Sequence, residues 1–473
     1  MVSNRNLRVL SVFTLVMINV AAVLNLAQLS ILAEYGLSAV FYVVIAALLF
    51  FVPVSLVSAE LATGWPKRGG VYIWVKEAFG PSLGFLAIWL QWFENVVWYP
   101  TILSASSAYI AFAFNPSLAS NPLYTMIMIF LITWVITLIN FRGMKVSGQV
   151  SSYCTIAGTL FPAALVIILG VLWISSGGTS QTPLTLSNLV PEFNAANILF
   201  LVGIFLSFAG IEMSAVHAQE VKDPQKNYPK AILLSAFIIL VVSVLGALAI
   251  SVVVPKADIQ LNAGVMEAFS KFFKLYNFPW VMPLIAILVA AGSVGAVSTW
   301  IVGPSKGLLV TARDGNLPPF FQKVNENGMP TNLLISQAVI ITLLSLIFLF
   351  EPSVNSSYWL LTVLTSQLYL IMYILMFAAA IKLRYSQPMV KRPYKVPGGN
   401  VGMWVVAGVG IISCLVAILV GFIPPSQFGA TGSAALEFTG FLAVGVVIVC
   451  TVPFVIRYFR KSDWKRIGKI KDK

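Results

Sequence analysis

Twelve stretches of this chain are long and apolar enough to cross a lipid bilayer, and that succession leaves few folds open. A span needs roughly 20 mainly apolar residues to traverse the hydrocarbon. Such runs occupy residues 10–33, 38–62, 82–113, 122–140, 147–174, 196–218, 230–254, 280–310, 331–350, 356–381, 401–424 and 436–458. No connection between them is large enough for a soluble domain, so residues 1–473 read as a single all-α integral membrane domain. With 59% hydrophobic and only 10% charged residues, a water-soluble fold of this length would expose a large apolar surface. The first run follows a short basic head, Arg5 and Arg8, as a signal sequence would. It is longer than a typical signal core and has no clear cleavage site, so it reads as a retained helix.

A formal charge of +13 raises the question of nucleic-acid binding, but the placement of the charges answers it differently. With the N-terminus inside, the outside connections hold only Lys256, Lys271 and Lys274 of the 29 Lys and Arg. An inside excess of this kind sets membrane orientation, with both termini cytoplasmic, and no nucleic-acid partner is expected. The basic tail, residues 459–473, is expected to lie against anionic lipid. Cys154, Cys414 and Cys450 all sit inside apolar runs and read as small core residues. No phosphate loop, His/Cys metal set or nucleophile–base pair has recognisable spacing, so neither a cofactor nor an enzymatic activity is expected.

Two runs carry polar or small residues at mid-length. The first has Asn19, Ala21, Ala22 and Asn25; the sixth has Ser207, Ala209, Gly210 and Glu212. Helices broken at corresponding places in two inverted halves are a sequence pointer to a transporter's binding site. Freed N–H groups at a break can hold a carboxylate and freed C=O groups an ammonium, which suits a zwitterion. Small residues also serve close helix packing, and no glycine lies between Leu10 and Ala33 to favour a break in the first run. The outside connection 255–279 places Val265, Phe269, Phe272 and Phe273 on one face, which predicts an amphipathic helix across the outer mouth.

Four motifs in order resemble the amino acid–polyamine–organocation (APC) superfamily. They are Ala59-Glu60-Leu61-Ala62-Thr63-Gly64-Trp65-Pro66 with Gly69-Gly70-Val71-Tyr72 after it, Ser207-Phe208-Ala209-Gly210-Ile211-Glu212, Thr311-Ala312-Arg313-Asp314-Gly315, and Lys391-Arg392-Pro393-Tyr394-Lys395-Val396-Pro397-Gly398-Gly399. The stretches Leu32-Ala33-Glu34-Tyr35-Gly36-Leu37 and Gln91-Trp92-Phe93-Glu94-Asn95-Val96-Val97-Trp98-Tyr99-Pro100 are more similar to the bacterial glutamate:GABA antiporter family. The resemblance implies a LeuT-like fold of two inverted five-helix repeats (10–174 and 196–381) plus two extra helices (401–458), with helices 1 and 6 broken. It implies an amino-acid substrate exchanged by alternating access in a prokaryotic inner membrane. Proton-coupled amino-acid symport is the alternative, and a non-transporting sensor or scaffold is a third possibility from another class. A cytoplasmic plug found in the antiporter family is not expected here, because only a short basic tail follows the last run.

Carried over residue by residue, the substrate would meet Ile18, Asn19, Val20, Ala21, Ala22 and Val23 at the first break. At the second break it would meet Ser207, Phe208, Ala209 and Gly210. Glu94, deep in the third run, is either an ammonium contact or proton carrier, or a protonated hydrogen-bonder between helices. Glu212 either gates and couples transport or caps the broken half-helix. His217, the single histidine, is a pH sensor or a packing residue. Trp300 matches an aromatic lining the pathway of arginine:agmatine-type antiporters, and packing is its plainer role. The gating tryptophan of those transporters corresponds to Leu206, so this gate would be smaller. Tyr369 and Tyr373, one turn apart, line an inner vestibule or pack. Lys306 either pairs at the place of a sodium ion or snorkels to the cytoplasm. Glu60, with Lys67, Arg68 and Arg142, is expected to form a cytoplasmic charge network.

Overall fold

Backbone polar groups in a hydrocarbon solvent must be satisfied within the segment, and this chain does so with helices. The computed structural model describes residues 11–67, 69–143, 151–191, 201–213, 223–424 and 433–465, and no strand occurs among them. In chain order the helices are α1 (Val12–Val23), α2 (Leu26–Ala33), α3 (Gly36–Gly64), α4 (Val71–Phe79), α5 (Pro81–Phe114), α6 (Pro122–Asn140), α7 (Ser151–Ser175) and α8 (Leu201–Ser207). There follow α9 (Pro224–Ser251), α10 (Gly264–Leu275), α11 (Met282–Thr311), α12 (Thr331–Phe350), α13 (Val354–Ser386), α14 (Gly399–Gly421) and α15 (Ser433–Tyr458).

Ten of these elements are long and apolar enough to span a membrane, and α1 with α2, bent by 60°, makes an eleventh. The sixth run contributes the shorter apolar stretch Leu201–Met213, and its beginning, 192–200, falls outside the described residues. The protein is therefore a multi-pass membrane protein.

Burial separates centre from periphery. The apolar windows of α5 and α13 are 78% and 83% buried inside the protein, against 17% for α15, which faces outward. α5 starts cleanly because Gly80, at φ 88°, turns the chain and Pro81 occupies the first helical turn. Its 34 residues span about 51 Å at the usual helical rise, well beyond a hydrocarbon core roughly 30 Å thick. α11 and α13 pack along it, so a polar residue in the middle of α5 lies at the middle of the bundle.

Few polar contacts stitch the helices, but they join distant segments. Asn19 Nδ2 donates to Ser235 Oγ at 3.0 Å, and Trp89 Nε1 donates to the Val449 carbonyl at 3.0 Å. The predicted amphipathic helix is present as α10, with Val265, Phe269, Phe272 and Phe273 buried and Phe269 stacked on Phe273. α10 rests on α2: a side chain at Gly264 would come within 2.8 Å of Ser30 Oγ. At the other end, the chain beyond α15 folds back, and the Trp464 carbonyl accepts from Gln322 Nε2 at 2.7 Å.

Candidate functional site

The first run does break, but not over 18–23. α1 stays helical through Val23, and the joint is Leu24-Asn25, both extended. The cause is a cap rather than a glycine. Asn25 Oδ1 accepts the Ala27 N–H at 3.0 Å, so the asparagine starts a new helix instead of continuing the old one. Ile18, Asn19 and Val20 thus lie within the helix, and Asn19 faces α9.

The sixth run breaks where expected. α8 ends at Ser207, Phe208–Gly210 form turns, and Gly210 adopts φ 109°. Only glycine holds that conformation without strain. Its N–H donates to Tyr373 Oη at 2.9 Å. A side chain at Gly210 would also collide with the Trp300 ring at 2.6 Å.

Between the two joints lies a small cavity. Ala21, Ala22, Val23, Leu24, Asn25 and Gln28 contribute from the first joint, and Leu206 and Ala209 from the second. Glu94, Asn95, Trp98, Ala296, Trp300 and Tyr369 close it from α5, α11 and α13. Of the predicted set, Ser207, Phe208 and Gly210 stand behind this lining. Ser207 Oγ donates to Gln28 Oε1 at 3.0 Å, and Phe208 packs on Phe51.

Glu94 is the one acidic side chain among the described residues of the lining, and 2% of the residue is exposed. Its carboxylate accepts from the Asn95 amide, which also donates to the Gln91 carbonyl at 2.8 Å. Trp300 sits edge-on to Trp98, ring centroids 6.3 Å apart, and its indole N–H donates to the Ala22 carbonyl at 3.2 Å. The aromatic pair is thus tied to the first joint and pressed against the second.

Glu212 lies just beyond the second joint. Tyr369 Oη and Tyr373 Oη (2.6 Å) donate to it, with Gln91 Nε2 at 3.3 Å. The two rings stack at 4.7 Å. Tyr373 therefore connects the Glu212 carboxylate to the Gly210 turn, and the predicted gating residues Glu212, Tyr369 and Tyr373 form one cluster. Lys306 is half-buried in α11, six residues past Trp300. His217 and Arg68 lie outside the described residues.

The expected network around Glu60 has different members. Arg384 Nε and Nη2 each donate to the Glu60 carboxylate at 2.6 Å, and Arg392 Nε stands 3.4 Å away. The Val396 N–H also donates to it, at 2.7 Å. Lys67 pairs instead with Glu77 at 3.1 Å. Buried Glu60 requires guanidinium partners, supplied by Arg384 near the end of α13 and Arg392 in the loop after it, whereas Lys67 stays at the surface. The three cysteines are free thiols, and no cluster of metal-binding side chains occurs among the described residues.

Trp98 and Gln28 were not singled out by sequence reasoning. A signal existed for the first: Gln91, Glu94, Asn95 and Trp98 are spaced to share one helix face. Gln28 is placed by the bend at Asn25, which carries no distinctive local pattern.

Residues 7–456 match the family model for amino acid permeases. The chain belongs to the amino acid permease family, and is a membrane transporter for amino acids rather than an enzyme. It is 45% identical to an uncharacterized transporter of Legionella pneumophila, over 97% of this chain and 98% of that one. It is 30% identical to a glutamate/gamma-aminobutyrate antiporter of Lactococcus lactis, over 95% of this chain and 90% of the relative. At 25% identity it also resembles a probable agmatine/putrescine antiporter of Lactococcus lactis, over 88% and 89% of the two chains.

Proposed function

We propose that this permease is an antiporter, exchanging an external amino acid for an internal amino acid or its decarboxylated amine by alternating access. The observation that carries the reading is one cavity bounded by two helix joints, with a mid-bundle carboxylate and an aromatic pair bridging them. Joints of this kind let half-helices rock against a fixed core, opening the cavity to one side at a time. On this reading α1 and α8 begin two inverted repeats, α14 and α15 are additional, and both termini face the cytoplasm of a cell bounded by an inner membrane. The glutamate/gamma-aminobutyrate and agmatine/putrescine antiporter names of the relatives support exchange over one-way uptake.

Counterflow in proteoliposomes tests this. Vesicles loaded with a mixture of unlabelled amino acids should take up labelled ones, and empty vesicles should not. Uptake into empty vesicles driven by an imposed proton gradient would show a proton-coupled symporter instead.

A further inference from the structure

The last helix ends in two guanidiniums that no acid answers. Arg457 lies in the last turn of α15, and Arg460 follows three residues on. Both reach the turn Ala312–Asn316 at the end of α11. Arg457 Nη1 donates to Asn316 Oδ1 at 3.3 Å, and Arg460 Nη2 donates to the Asp314 carbonyl at 3.2 Å. Both acceptors are neutral. The Asp314 carboxylate is taken instead by Lys76 at 2.6 Å and Tyr72 at 2.5 Å. Among the described residues neither guanidinium forms an ion pair.

From 457 to 465 the chain holds four basic residues, Arg457, Arg460, Lys461 and Lys465, against the single acid Asp463. This segment is pinned to the protein. The Trp464 carbonyl takes Gln322 Nε2 at 2.7 Å, and a side chain at Gly315 would come within 3.0 Å of the Lys465 nitrogen. Exposed side chains give its depth in the bilayer. Val447, Ile448 and Val455 of α15 face outward, as lipid-facing residues do. Just beyond them Tyr458 and Phe459 stand 85% and 66% exposed, edge to face, and Phe320, next to the Ala312–Asn316 turn, is exposed too. Aromatic rings so placed mark the headgroup level. Half-buried Arg457 and exposed Arg460 therefore sit where lipid phosphates lie.

The geometry points to a binding site for one anionic phospholipid, its phosphate held between Arg457 and Arg460 and its acyl chains along the outward face of α15. Guanidinium groups receive a phosphate through parallel, charge-assisted N–H···O bonds. A zwitterionic lipid brings the same phosphate with a cation of its own, which the arginine pair repels. The bound lipid fastens the end of α15 to the end of α11, the helix that carries Trp300. The site shares no lining residue with the cavity, so the inference does not depend on exchange.

Native mass spectrometry of the full-length protein in detergent, titrated with phosphatidylglycerol or phosphatidylcholine, tests this. Phosphatidylglycerol should bind at least about tenfold tighter, since each basic residue at a membrane surface adds attraction. Arg457→Gln combined with Arg460→Gln should bring the two lipids within about twofold of each other. Lys461→Gln combined with Lys465→Gln removes equal charge from the same segment and should keep a preference of at least about fivefold. A preference that survives loss of both arginines, or that falls as far with the two lysines, would overturn the site in favour of diffuse attraction. Inorganic phosphate that displaces phosphatidylglycerol at comparable concentration would overturn it too, because the ligand would then be a soluble anion. Should the double arginine variant fail to fold, Arg460→Gln alone serves, since that side chain is exposed. It should weaken phosphatidylglycerol at least about threefold and leave phosphatidylcholine unchanged. Equal weakening of both lipids would count against the proposal.

Discussion

Glu60 and Glu94 are both buried carboxylates in a membrane bundle, and their surroundings are opposite. Glu60 receives two nitrogens of one guanidinium, the neighbourhood of a second and a peptide N–H. Among the described residues Glu94 has one neutral amide, that of Asn95, and it borders the cavity. A buried charge with its counter-charges in place is a fastening, since removing a partner strands the other. A buried carboxyl group without them is left available to something that arrives. Glu60 joins α3 to the end of α13 and the loop after it, whereas among the described residues Glu94 is bonded only to its sequence neighbour Asn95.

The largest effect should come from breaking the fastening. Arg384→Ala leaves Glu60 buried without its bidentate partner and should cost about 3–5 kcal/mol. A steep fall in the thermal unfolding temperature of the detergent-solubilised protein is the expected result. Glu94→Gln should behave oppositely, with unfolding little changed and exchange reduced about tenfold or more. Should Glu94→Gln unfold as readily as Arg384→Ala, the distinction between fastening and receptor would fail.

Two further carboxylates, outside the spans, sharpen the comparison through pH. Glu34 closes α2 and Glu267 lies on α10. Burial pushes Glu34 up to about 7, with the nearby Lys256 charge opposing it. Burial likewise pushes Glu267 up to about 7; the Gln260 N–H and Lys271 oppose the rise, and Asp258 adds to it. A carboxylate whose folded pKa lies above its unfolded value, 4.5 here, holds more protons when folded. Its contribution is therefore fully present below about 4.5, is lost as pH rises towards about 7, and is flat beyond. Unfolding temperatures measured across that window should decline, and Glu34→Gln should flatten part of the slope.

Membrane architecture was readable because lipid imposes a one-dimensional rule: length and apolarity of each run suffice to place most helices. The second joint was readable too, since Gly210 offers the conformation the turn needs. The first was misplaced because its device is a capping asparagine, Asn25, which looks like any polar residue in an apolar run. Glu60's partners were missed for a different reason. Arg384 lies 324 residues away, and nothing local announces that the Lys391–Gly399 loop folds back on α3. Trp98 shared a helix face with Glu94 and could have been chosen by spacing alone.

The smallest expected effect tests whether pairing or burial gives Glu60 its importance. Lys67 and Glu77 form an ion pair at 3.1 Å, but their side chains are 64% and 32% exposed, against 8% and 2% for Arg384 and Glu60. Water solvates both partners when an exposed pair is broken, so neither is stranded. Lys67→Ala should therefore change stability by less than about 1 kcal/mol. The residual effect should shrink further in high salt, where exposed charges are screened. Arg384→Ala should remain damaging in the same salt, because ions do not reach a side chain buried between α3 and α13. Two ion pairs of similar length would then differ several-fold in worth, with solvent access as the cause. Equal losses from Lys67→Ala and Arg384→Ala, each abolished by salt, would place Glu60 among surface pairs and remove its contrast with Glu94.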